Sequence, residues 1–150
     1  METNNIQIQP KQSIITRWQS WAPYFLSVLR IVAAIIFITV GTIKLFAYPI
    51  GMPPNGAAVT NWLSLIGIAG MLEVFGGALM LLGLFTRPVA FILAGEMAVA
   101  YFIGHASGGF WPVVNGGIDA VLYCFLFLYF SAAGAGPWSI DAKRKKVQVY

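Results

Sequence analysis

The sequence predicts an all-α membrane protein, a bundle of four transmembrane helices with both termini in the cytoplasm, on the strength of three features. Of its 150 residues 59% are hydrophobic and only 9% are charged, against about 25% charged in an ordinary soluble domain. The apolar residues gather in four runs, separated by two Pro- and Gly-rich stretches and one short turn. Lysine and arginine gather in the tails and one short turn and avoid the two long loops. These features set aside a soluble globular enzyme. Despite the net charge of +4, they also set aside disordered and nucleic-acid-binding chains, which are rich in charge.

Residues 1–22 are mostly polar and form a cytoplasmic tail. The apolar run that follows is as long as a full span rather than the short core of a signal peptide. Span one covers 24–47 and stops at YPIGMPPNGAAVT (48–60), where Pro and Gly cannot continue a helix. Span two covers 62–85. Thr86-Arg87-Pro88 then makes a tight turn, with Pro88 suited to the first position of span three, at 88–104. A second loop, HASGGFWPVVNGG, occupies 105–117, and span four runs from 118 to 133 before GAGP at 134–137. Crossing hydrocarbon takes about 20 helical residues, so this short last span is expected to recruit part of 115–117. The division is a tail at 1–22, one membrane domain at 23–137 and a basic cytoplasmic tail at 138–150.

Lys11, Arg17, Arg87 and the KRKK at 143–146 all fall on one side of such a bundle, while loops 48–60 and 105–117 hold no Lys or Arg. The positive-inside rule therefore places both termini and the short turn in the cytoplasm. Trp18, Trp21 and Trp138 then mark the inner boundary and Trp62 and Trp111 the outer one. The basic tail reads as a topology signal attracted to anionic lipid.

Within 24–137 the ionisable residues are Arg30, Lys44, Arg87, Glu73, Glu96, Asp119 and His105, three bases against three acids with one imidazole over. An unpaired charge at bilayer depth costs at least about 2.5–3.5 kcal/mol, so pairing is expected. Depth along the spans suggests two clusters. A mid-membrane group joins Arg30, Glu73 and Glu96, with a proton shared between the two acids. An outer group joins Lys44, His105 and Asp119. These groups either do chemistry or only hold helices together, and both readings stay open. Small residues suggest the meeting faces: Ala90, Ala94 and Ala98 in one row, Glu96, Ala100 and Gly104 beside it, and Gly70, Glu73 and Gly77 on span two.

The available chemistry is narrow. Cys124 stands alone, so neither an internal disulfide nor a thiolate metal site can form. One histidine cannot supply paired haem ligands or an oxidase metal centre, and Met71, Met80 and Met97 read as packing. No Walker loop, Rossmann fingerprint or Ser-His-Asp set occurs, and Ser107-Gly108-Gly109 lacks the lysine a phosphate loop needs. No metal or motif-bound cofactor is expected, and no catalytic residue is assigned. What remains is a pocket lined by Trp, Tyr and Phe that would suit a quinone headgroup, or proton movement through Glu73, Glu96 and Asp119.

Several segments resemble the DoxX family of membrane proteins: LRI at 29–31, Gly41 to Lys44-Leu45-Phe46, LEVFGGALMLLGLFTRPVA at 72–90, AGEMAVAYFIGH at 94–105, GFWPVVNGG at 109–117 and LYCFLFLYFSAAGAGPWSID at 122–141. Their order over four spans carries the likeness. The resemblance implies a four-helix bundle in a bacterial inner membrane and an association with quinone-linked redox complexes. It marks Arg30, Lys44, Glu73, Arg87 and His105 as matching the family's polar signature. One departure stands out. Relatives often read NGGE at the start of span four, whereas Asn115-Gly116-Gly117 is followed here by Ile118 and then Asp119, which turns the acid by about 100° on a helix.

The leading expectation is a component of a membrane redox module. It would handle quinone or dock an oxidoreductase or respiratory-chain subunit, would not be catalytic alone, and is compatible with a homo-oligomer. The alternatives are a non-enzymatic scaffold or assembly factor and a small proton-coupled transporter.

Overall fold

A computed structural model describes residues 18–147. Lys11 and Arg17, on which the orientation partly rests, lie outside them. The described residues are helical apart from turns and one isolated bridge between Met52 and Ala57. We number the helices α1 (Ala22–Phe46), α2 (Leu65–Leu82), α3 (Thr86–Gly108), α4 (Pro112–Asn115), α5 (Ile118–Ala133) and α6 (Ile140–Val147). Among the described residues, α1, α2 and α3 are the helices long and apolar enough to cross a membrane, with 25, 18 and 23 residues. Helix α5 is equally apolar but has 16 residues. It does not recruit 115–117, because Gly116 takes the left-handed conformation (φ 72°) and separates it from α4.

Local chemistry sets most helix ends. Pro23 sits in the first turn of α1, where its missing N–H costs nothing. Ser64 caps α2 by accepting from the Gly67 amide at 3.1 Å. Helix α2 stops at Gly83, whose left-handed φ of 64° an L side chain rarely adopts. The turn into α3 is therefore Gly83–Phe85 rather than Thr86–Pro88, and Thr86 already begins the helix. Two wide turns interrupt the spans, at Leu72–Gly76 in α2 and Tyr101–His105 in α3. Each admits an extra residue and re-aims the side chains beside it.

Helix α1 packs along α2, and α3 along α5. Phe37, Met80, Leu93, Phe127 and Phe130 fill the centre, with Phe37 and Phe127 edge to face at 4.8 Å. Ala90 and Ala94 are buried in this core. The Gly70–Glu73–Gly77 stripe faces α1, since a Cβ on Gly70 would meet Leu45 and one on Gly77 would meet Ile38. Gly41 answers from α1, where a Cβ would stand 2.9 Å from the Gly70 carbonyl oxygen. The row of Glu96, Ala100 and Gly104 behaves differently. A Cβ on Gly104 would meet nothing within 4 Å, and the row lines an open groove instead of a helix contact. Large apolar side chains cover the outside, among them Ile36, Phe75, Phe91, Phe102 and Phe125. A surface of this kind belongs in lipid.

Candidate functional site

The charged residues sort into two ends of the bundle, and not into the groups that depth alone suggests. Arg30 is fully buried, but it is not hydrogen-bonded to Glu73 or Glu96. Its guanidinium donates only to backbone carbonyls: Met80, Leu81 at 2.7 Å, Ala135 at 2.9 Å and Trp138 at 2.6 Å. The first two are carbonyls of α2's last turn, where a cation is favoured; the Met80 carbonyl also accepts from the Gly83 amide at 3.1 Å. Arg30 thus ties α1 to the end of α2 and to the segment after α5. The lysine that sequence depth put in the outer group is the partner of Glu73, with Lys44 Nζ 2.5 Å from Glu73 Oε1. A long side chain explains the difference. Lys44 ends α1 but reaches along the helix, while Glu73 is re-aimed by the wide turn at Leu72–Gly76.

Glu96 completes the arrangement. It lies close enough to Glu73 and Lys44 for their charges to act on it. Both of its carboxyl oxygens are buried and have no hydrogen-bond partner among the described residues, and the second oxygen of Glu73 is equally unpartnered. Three acceptor oxygens are therefore unspent beside one ammonium group. Buried polar atoms are rarely left so, and a cluster of them is where a ligand or proton is expected.

These groups adjoin a groove of about 520 Å³ between α2 and α3. Its walls are aliphatic (Leu65, Ile68, Leu72, Ile92, Val99, Ile103) and its polar lining is Lys44, Glu96 and His105. The aromatic walls expected from sequence are absent from it. Met52, from the loop after α1, closes part of the rim, and that loop is held by the Val59 amide donating to the Lys44 carbonyl at 2.8 Å. His105 sits in the wide turn of α3, 3.2 Å from the Asn115 carbonyl through Nδ1. A carbonyl only accepts, so Nδ1 carries the hydrogen and Nε2 of the neutral ring is an acceptor. Asp119 does not join Lys44 and His105. It is exposed in the first turn of α5, where its charge acts on Tyr123.

At the opposite end Arg87, which reads from sequence as an orientation signal, and Asp141 tie the structure together. Arg87 Nη1 donates to the Ser131 and Ala132 carbonyls at 3.1 and 2.6 Å, satisfying the end of α5. Asp141 accepts from the Phe85 and Thr86 amides at 3.0 and 2.9 Å and caps α3, while its own amide donates to the Gly83 carbonyl. Burial works to raise the Asp141 carboxyl, but the amides of Thr86 and Phe85 and the charge of Arg144 outweigh it and hold it below the usual carboxylate range. No local pattern signals this cap, because Asp141 stands 55 residues from Thr86 in sequence.

Among the described residues, no three His, Cys, Asp or Glu side chains are placed to hold a metal ion. A family model described as DoxX matches residues 25–106, a stretch that takes in α1, α2 and α3 up to the groove's far wall. A protein of Haemophilus influenzae described as uncharacterized is 48% identical over 128 residues, covering 83% of this chain and 94% of that protein. No solved structure matches.

Proposed function

The chain belongs to the DoxX family of membrane proteins, and from that premise we propose that it is an inner-membrane component of a redox module that takes a quinone-type headgroup into the α2–α3 groove. On this reading α5 is a fourth, short span, the bundle sits in a bacterial inner membrane, and both termini are cytoplasmic. The observation that carries the proposal is Glu96, whose two buried oxygens lack partners beside Lys44 in an otherwise aliphatic groove. The volume lies within the about 300–1,000 Å³ usual for small-molecule sites. A groove walled by Leu, Ile and Val also suits a ligand that arrives through lipid.

The polar groups fit both forms of such a molecule. The Lys44 ammonium supplies a donor to a ring carbonyl, and Glu96 and His105 Nε2 supply acceptors to the hydroxyls of the reduced form. Interconverting the two forms moves two electrons and two protons. This chain offers groups for the protons, and a partner oxidoreductase or respiratory-chain subunit would carry the electrons. Quinone is here the substrate of the module, and the chain's own work is to bind, orient and pass protons at Glu96 and Glu73.

The test is purification of the full chain in mild detergent, with extraction of bound quinone and identification of co-purifying chains. The proposal expects quinone in near-stoichiometric amount with the wild type and its loss with Glu96→Gln at unchanged yield. A scaffold or assembly factor would retain its partners, carry no quinone and tolerate Glu96→Gln. A proton-coupled transporter would carry no quinone and would lose transport with the same variant.

A further inference from the structure

The end of the bundle remote from the groove holds a second site. Between the start of α3, the end of α5 and α6 lies a cleft of about 390 Å³, lined by Arg87, Arg144, Asp141, Gly134 and Pro88 among others. Its two arginines are only partly used. Arg87 spends Nη1 on the end of α5, while its Nε and Nη2 pass over Gly134 and make no hydrogen bond to the described residues. The Arg144 guanidinium lies 5.2 Å above the Phe85 ring and likewise donates to none of the described residues. Asp141 does not quench them by pairing. Both its oxygens are taken by the amides of Phe85 and Thr86, and Lys44–Glu73 is the ion pair found among the described side chains.

We propose that this cleft binds the phosphate of an anionic phospholipid headgroup, held by the free guanidinium donors of Arg87 and Arg144. The shared chemistry is that of any phosphate monoanion, whose oxygens guanidinium groups match in geometry and charge. Two observations favour a lipid over a soluble phosphate. Trp138, between the lining residues Gly136 and Ser139, joins Trp21 and Tyr24 in an aromatic cluster with ring centroids 6.1 and 5.9 Å apart, the composition of a membrane boundary. The cleft also opens onto apolar surface, because Phe85 and Phe91 are 54% and 64% exposed and Phe91 stands one turn along α3 from Pro88. Acyl chains can follow that face while the headgroup sits between the arginines.

The experiment uses the full-length protein in an uncharged detergent, titrated with phosphatidylglycerol, phosphatidylcholine or inorganic phosphate and read by native mass spectrometry and thermal midpoint. Phosphatidylglycerol is expected to bind and raise the midpoint, and phosphatidylcholine at the same concentration to do neither. Arg87 also caps α5, so Arg144→Gln is the deciding variant. It should weaken phosphatidylglycerol binding about tenfold or more, the scale of one charge-assisted hydrogen bond, whereas Lys143→Gln, outside the cleft lining, should change it little. Equal weakening by both variants would mean diffuse attraction to the basic segment and would overturn the site. Equal binding of the two lipids, or displacement of phosphatidylglycerol by millimolar inorganic phosphate, would overturn the lipid assignment.

Discussion

Two ends of one bundle treat buried charge in opposite ways. At the α2–α3 turn every hydrogen bond of Arg30 goes to a backbone carbonyl, and Asp141 and Arg87 each close a helix terminus. In the groove, Lys44 meets one oxygen of Glu73, and three carboxyl oxygens are left over. The first pattern is what stability needs, since buried side-chain groups there meet backbone groups, most of them at helix ends. The second costs stability and is worth keeping only where something else fills the vacant bonds. Burial alone does not separate the two. Arg30 and Glu73 are both almost wholly buried, at 0% and 1% exposure, yet every nitrogen of one has a partner and one carboxyl oxygen of the other has none.

The largest effect is expected from breaking the satisfied end. Arg30→Met removes the donor from four carbonyls at once and should cost about 3–5 kcal/mol, seen as loss of monodisperse protein and a collapsed thermal midpoint. Arg30→Lys, with its charge retained but its planar fork gone, should fall between. Lys44→Met is next. It leaves Glu73 buried without a counter-charge and should cost about 3 kcal/mol, most of it recovered in the Lys44→Met/Glu73→Gln double variant. An additive double variant would show that the pair is not coupled.

Gly41→Ala sharpens the comparison from the backbone side. The added methyl meets Glu73 Cβ at 2.9 Å and Val74 Cγ2 at 2.8 Å, so α1 and α2 must part by a few tenths of an ångström. The expected cost is about 1–3 kcal/mol, with the Lys44–Glu73 contact lengthened. Asp141→Asn should cost about 1 kcal/mol as a weakened cap. Its pH dependence carries the sign of a depressed carboxyl. The folded value lies below the ordinary 3.8, so the charge stabilises fully above about pH 4. That contribution is lost as pH falls through the folded value, where wild type and Asp141→Asn should converge in thermal midpoint.

The apolar helices themselves are legible because hydrophobic runs, Pro and Gly mark them without reference to any partner. The apolar run at 118–133 has the bounds of α5, without the residues of 115–117 that a full span would need. Pairing was less legible. Ranking charges by depth along ideal helices put Arg30 beside Glu73, but a side chain several ångströms long and one wide turn are enough to exchange partners. Nothing in a 3.6-residue period announces the extra residue at Leu72–Gly76 or at Tyr101–His105. The carbonyls that hold Arg30 were invisible for a related reason, since every residue has one and only the fold decides which are left free. Glu73, Glu96, Lys44 and His105 all stand out in the sequence as ionisable groups in or beside apolar runs. Their meeting at one groove, with Asp119 outside it, is a product of tertiary packing.

The smallest expected stability change is the most informative one. Glu96→Gln keeps the shape of a side chain that makes no hydrogen bond, so its thermal midpoint should stay close to wild type. Titration of a short-chain quinone, in oxidised and reduced forms, into wild type and Glu96→Gln tests the central claim most directly. The account predicts saturable binding to the wild type and a loss of about tenfold or more in the variant, at equal stability. Equal binding by the two proteins, or no saturable binding by either, would contradict it.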